Sequence, residues 1–126
     1  MVRIICGARR YATLVPQTRR LSERLLRTAR ARNASFELYL VDDRALRHTV
    51  LAYPSPQGFP RPDMAGRYLG ELYLNPDRIA RAKGTLAQFC IHGFLHLLRY
   101  DHAKRSDRIT MEREERKLYA DIYRRT

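Results

Sequence analysis

His92-Gly93-Phe94-Leu95-His96-Leu97-Leu98-Arg99-Tyr100-Asp101-His102 holds three of the chain's four histidines, spaced H-x3-H-x5-H. Within a helix, an i, i+4 separation puts His92 and His96 on one face, one turn apart. His102 follows where the helix has room to end and the chain to fold back. Phe89, Ile91, Phe94, Leu95, Leu97 and Leu98 surround the histidines, leaving little polar helix face to account for them. A single histidine on an apolar helix is ordinarily a satisfied core residue. Three together are not, because imidazoles buried without partners are costly. Three neutral nitrogen donors with a fourth position open describe a catalytic zinc site rather than a structural one.

Reading outward, Thr85 caps the histidine helix, which runs to about Leu98. Cys90 precedes His92 by two residues, about 200° around a helix, so it points away from the metal and into the core. Upstream, Asn75-Pro76 supplies a cap and then a proline at the first helical position, with Gly84 ending that helix. Residues 2–6, Phe36–Val41, Thr49–Tyr53 and Tyr68–Leu74 read as strands. Thr18 can cap a helix to about Arg32 with Leu21, Leu25, Leu26 and Ala29 on its apolar face, and Asp42 a short turn through Arg47. Residues 54–67, rich in proline, form a loop. A last helix runs from near Ser106 to Arg124, with Met111, Leu118 and Ile122 inward and Glu112–Arg116 as an i, i+4 pair. Interleaved strands and helices predict an α/β (α+β) domain over residues 1–126, with a small mixed four-stranded sheet packed by helices.

The 126 residues suit one domain, and 44% apolar content excludes a disordered chain. No apolar run approaches the roughly 18–20 residues of a membrane span, so no membrane partner is expected. Two cysteines, Cys6 and Cys90, are too few for a disulfide framework and point to a reduced cytoplasmic location. The net charge of +12 attracts polyanions, and arginine's planar fork suits phosphate. Codon bias and solubility are the competing explanations of the arginine excess; its size favours nucleic acid. The first 33 residues carry nine arginines and one acid, Glu23, a composition also seen in transit peptides. Val2–Cys6 and the apolar face of the following helix favour an integral start of the fold instead.

H-x3-H-x5-H is also the spacing of metzincin proteases, which need glutamate directly after the first histidine as general base. Gly93 stands there, so a peptide hydrolase is disfavoured, and a glycine lets another backbone or a bulky substrate approach closely. H-G-x-L-H-L-x-x-Y-D-H resembles the signature of the YbeY-type endoribonucleases. Leu69-Gly70-Glu71-Leu72 is similar to that family's Gly-acid strand, Val50-Leu51-Ala52-Tyr53-Pro54 to its V-L-S-F-P segment, and Met111 to a recurrent position. The resemblance covers most of the chain from about residue 36 onward.

The resemblance implies a zincin-like ligand helix on a mixed sheet, with Zn2+ held by His92, His96 and His102. It implies a single-strand-directed endoribonuclease acting on ribosomal RNA, in maturation and quality control of the small ribosomal subunit. Cleavage of a phosphodiester fits a zinc with three neutral ligands, which polarises a phosphoryl oxygen and brings bound water to a pKa near ~7. Glu71 and Asp101 are candidates to hold that water or orient a histidine. Glu71 reads somewhat more readily as a structural, half-exposed strand residue, and Asp101 equally as a turn residue.

Arg99 stands where the family has a helix-ending glycine. A left-handed arginine costs roughly 1 kcal/mol, so either the turn differs from the family's or a contact of Arg99 to RNA phosphate offsets the cost. Before Val50 the chain is shorter than the family: Thr49 stands at the aspartate position, Ala52 replaces serine, and no arginine aligns with the family's active-site arginine. Arg44 or Arg47 can substitute, or be solvated charges. Arg19, Arg20 and Arg27 on the first helix are candidates, with Arg44 and Arg47, for binding single-stranded RNA; DNA is not expected. Tyr53, Phe59, Tyr68 and Tyr100 can stack bases, although Tyr53 reads more readily as core. The shortened segment keeps a second function open: an RNA- or ribosome-binding factor that retains the metal with weak or no cleavage.

Overall fold

Alternation of apolar and polar residues places every second side chain of a strand on the same sheet face, and the sheet obeys it. In the computed structural model, β1 (Val2–Cys6), β2 (Ala34–Leu40), β3 (Val50–Pro54) and β4 (Arg67–Leu74) form one sheet of order β1-β2-β4-β3. β1 and β4 run parallel to β2, and β3 runs antiparallel to β4. The structure describes residues 1–56, 61–64, 66–99 and 105–123. The expected α+β architecture with a mixed four-stranded sheet is what forms.

Phe36, Leu38 and Leu40 of β2 and Leu72 and Leu74 of β4 line one face and are fully buried. Each such side chain contributes about 1.5–3 kcal/mol on leaving water. Helices α1 (Val15–Thr28) and α3 (Leu86–Leu97) pack on the sheet, α1 against β1 and α3 against β3 and β4. The Phe36 and Phe94 rings meet at 5.7 Å. Helix α4 (Arg105–Ile122) lies on α1 and α3, burying Met111, Leu118 and Ile122 as expected. The expected Glu112–Arg116 pair does not form among the described residues; both side chains are exposed.

α1 starts earlier than Thr18 because Pro16 occupies its first turn, where a missing N–H costs nothing. Thr18 is instead a buried interior residue whose hydroxyl donates to the Leu14 carbonyl at 2.7 Å. A 3-10 segment, Arg9–Leu14, precedes it. α2 (Pro76–Arg81) is capped by Asn75, whose side chain accepts from Arg78 N. α1, α2 and α3 are followed by basic residues in the left-handed region, Arg30 (φ 58), Lys83 (φ 57) and Arg99 (φ 75). The residue that turns the chain after α2 is thus Lys83, with Gly84 next. A cation here lies at the negative end of the helix dipole, which offsets part of the backbone cost.

The opposite sheet face carries Arg3, Glu37, Tyr39, Tyr53, Glu71 and Tyr73. Tyr39 and Tyr73 stack at 4.6 Å, and Tyr53, expected in the core, is 55% exposed. The antiparallel register puts Tyr53 beside Glu71 on this face, whereas its neighbour Ala52 faces α3.

Candidate metal centre

The capping box of α3 fixes where the histidine helix begins. Thr85 accepts from Gln88 N at 3.2 Å, and Gln88 accepts from Thr85 N at 3.0 Å. Seven residues later His92 emerges on the half-buried side of the helix, with His96 one turn on. Their Nε2 atoms face each other at 3.2 Å. Two donors on a tetrahedral zinc with bonds of 2.0–2.1 Å stand about 3.3 Å apart, so the pair fits two corners of such a site. The other nitrogen of His92, Nδ1, meets Glu115 Oε1 of α4 at 2.6 Å. A carboxylate only accepts, so Nδ1 carries the proton and a neutral His92 turns its Nε2 lone pair toward His96. A carboxylate behind a metal-binding histidine orients the ring and strengthens the donor.

Among the described residues no third metal-binding side chain joins the two histidines. His102 and Asp101 lie outside the described residues, as do Tyr100 and Phe59. Glu71, offered as a histidine-orienting residue, does not serve that purpose. Its strand neighbour Leu72 faces α3, so Glu71 faces the other way, and its carboxylate accepts from the Tyr73 hydroxyl at 2.6 Å. That contact and burial push the Tyr73 phenol well above its ordinary range. The carboxylate that meets His92 is that of Glu115. The missed signal is periodicity: Glu115 lies four residues after Met111 and three before Leu118, on the inward stripe of α4.

Gly93 packs closely on the sheet. A Cβ there would stand 2.2 Å from Leu72 Cδ1 and 2.9 Å from Val50 Cγ2. The glycine lets α3 sit down on β3 and β4, and a metzincin glutamate would not fit. Cys90 points into the core as expected, fully buried, and burial pushes its thiol up to about 12.

Arg99 is exposed, and its guanidinium donates to the Ser55 carbonyl, tethering the end of α3 to the chain leaving β3. Arg19 donates to the Val2 carbonyl at 2.9 Å, so it ties α1 to β1. Arg20, Arg27, Arg44 and Arg47 are exposed. Arg47 lines a cavity of about 690 Å³ between β3 and α2 with His48, Arg78 and Arg81. Tyr68 is held by Glu37, which accepts its hydroxyl at 2.7 Å, and by Arg61 over its ring at 4.4 Å.

A family model described as Endoribonuclease YbeY matches residues 15–123. A curated relative from Nitrobacter hamburgensis, Endoribonuclease YbeY, is 32% identical over 112 residues, 71% of this chain and 59% of the relative. One of the same description from Rhodopseudomonas palustris is 37% identical over 81 residues, 58% of this chain and 43% of the relative. The chain thus spans about half the length of these relatives. Among solved structures, that of TM1509 from Thermotoga maritima shares the fold, with TM-score 0.58 and 20% identity, covering 98% of this chain and 89% of that one.

Proposed function

We propose that this chain, which belongs to the YbeY endoribonuclease family, is a metal-dependent endoribonuclease that cleaves single-stranded RNA in the maturation of small-subunit ribosomal RNA. The observation that carries the reading is the convergence of His92 and His96 Nε2 at 3.2 Å with Glu115 behind His92. Zinc is the metal the two imidazoles and His102 would hold; it would supply Lewis acidity toward a phosphoryl oxygen and acidify the attacking water. Glu115 keeps the proton on His92 Nδ1 and fixes the ring plane. Arg99, two residues beyond the helix end at Leu97, is an exposed positive charge that an RNA phosphate would meet. The net charge of +12 concentrates RNA at the surface, and the activity belongs in the cytoplasm.

One observation favours a binding factor with weak cleavage as the second reading. Arg99 is engaged at Ser55, and Arg44 and Arg47 lie exposed on the β2–β3 connection. The test is incubation of the purified protein with single-stranded ribosomal RNA fragments, with and without a chelator. Chelator-sensitive cleavage that disappears in His96→Ala is the expected result. Tight RNA binding without such cleavage would replace the nuclease by the binding factor.

A further inference from the structure

We propose that an arginine-lined cavity at the end of α1 binds the phosphodiester backbone of the RNA strand. This rests on the RNA reading above and adds a location. The cavity, about 690 Å³, is bounded by the chain leaving α1, the first residues of β2 and β4, and Leu98 at the end of the histidine helix. Arg27, Arg30, Arg32 and Arg67 line it, and no carboxylate does.

Several arginines elsewhere in the fold are neutralised locally. Arg3, Arg10, Arg61 and Arg78 each hold a carboxylate within 3.4 Å. Among the described residues, Arg27, Arg30, Arg32 and Arg67 make no ion pair. Four like charges gathered without an anion repel one another, and a phosphate chain relieves that repulsion while its guanidinium partners remain in place. The backbone presents one of them under strain: Arg30 sits at φ 58. Its position is fixed by the Ala31 N–H donating to Leu26 O at 2.7 Å, and Arg67 N donates to Asn33 O at 2.8 Å.

Leu98, which closes one side of the cavity, caps the helix that carries the histidines. Leu98 lies two residues past His96, and Arg99 holds Ser55, whose N–H donates to Leu69 O at 2.9 Å, two residues from Arg67. The neighbouring cavity between α1 and α4 is of mixed charge, with Glu114 and Asp121 beside Arg30 and Lys117.

The test uses the full chain and a fluorescein-labelled, nuclease-resistant 2′-O-methyl RNA of about 12 nucleotides, followed by anisotropy across a salt series. The variant combines Arg27→Gln, Arg32→Gln and Arg67→Gln, all at exposed positions. The control removes equal charge with Arg9→Gln, Arg24→Gln and Arg113→Gln. Three lost phosphate contacts lower the slope of log affinity against log salt by about 2 and weaken binding at least about tenfold, with the control losing far less. The three corresponding lysine substitutions retain affinity within a few-fold, which separates charge from folding. Equal losses in variant and control would overturn the cavity and leave the RNA reading standing. No RNA binding by the wild type would overturn both.

Discussion

Replacing Glu115 with alanine separates a positioning role from a merely structural one. The His92 Nδ1–Glu115 Oε1 contact is short, 2.6 Å, but each side chain is about one-third exposed (32% and 31%). Solvent screening at that exposure limits its contribution to folding to at most about 1 kcal/mol. Loss of a carboxylate that orients a metal-binding histidine instead weakens metal affinity about 10–100-fold, or roughly 1.4–2.8 kcal/mol. Glu115→Ala should therefore melt within a few degrees of wild type while its zinc affinity falls by one to two decades. Glu115→Gln keeps an acceptor oxygen but not the charge, and should lie between. Glu114→Gln, one position around the helix and facing a different cavity, should match wild type. Competition titration against a chromophoric chelator gives the affinities, and thermal denaturation of the apo form gives the stabilities. Wild-type zinc affinity in Glu115→Ala would refute the positioning role. A stability loss of several kcal/mol with unchanged affinity would make the contact a helix clamp.

Gly93→Ala gains helix propensity of up to about 1 kcal/mol but drives a methyl into Leu72 and Val50, an overpacking that costs about 1–3 kcal/mol. Denaturant unfolding should show net destabilisation, and a stabilised variant would mean α3 shifts freely on the sheet. Arg99→Gly removes a left-handed non-glycine residue and should stabilise the fold by up to about 1 kcal/mol while slowing RNA cleavage. Unchanged cleavage would confine Arg99 to its Ser55 contact. Asp43, hydrogen-bonded first by Arg78 and then by Asn75, has its carboxyl held down to about 2. A depressed acid stabilises above its unfolded pKa of about 3.9 and loses that contribution as pH falls toward 2. The stability difference between wild type and Asp43→Asn should thus shrink from pH 4 to pH 2. A constant difference would assign the effect to packing.

Local patterns made most of the fold legible. Thr85 with Gln88, and Asn75 with Pro76, mark helix starts through bonds made within four residues, and both caps form as read. Strand-forming residues bounded by turn signals located all four strands. Some errors were local, such as the Thr18 cap displaced by Pro16, but those at the site came from contacts distant in sequence. Tyr53 resembles a core residue until the antiparallel register with Glu71 sets its face. Glu71 sits in a strand that reaches the site, but alternation turns it away and Leu72 inward. Gly93 invites a ligand-approach reading because the Leu72 and Val50 side chains it must clear lie 21 and 43 residues away in sequence. Glu115 is partnered across 23 residues, and only a carboxylate among the inward-facing positions of α4 gave notice of it. The histidine pair was legible because one turn of helix alone sets its spacing.

Metal analysis of the purified chain and its His96→Ala variant tests the central claim most directly. Elemental quantification after exhaustive dialysis should find one zinc per wild-type chain and essentially none in the variant, with both proteins folded by circular dichroism. Metal-free wild-type protein that does not take up zinc, or a variant that retains it fully, would contradict the assignment of His92 and His96 as its ligands.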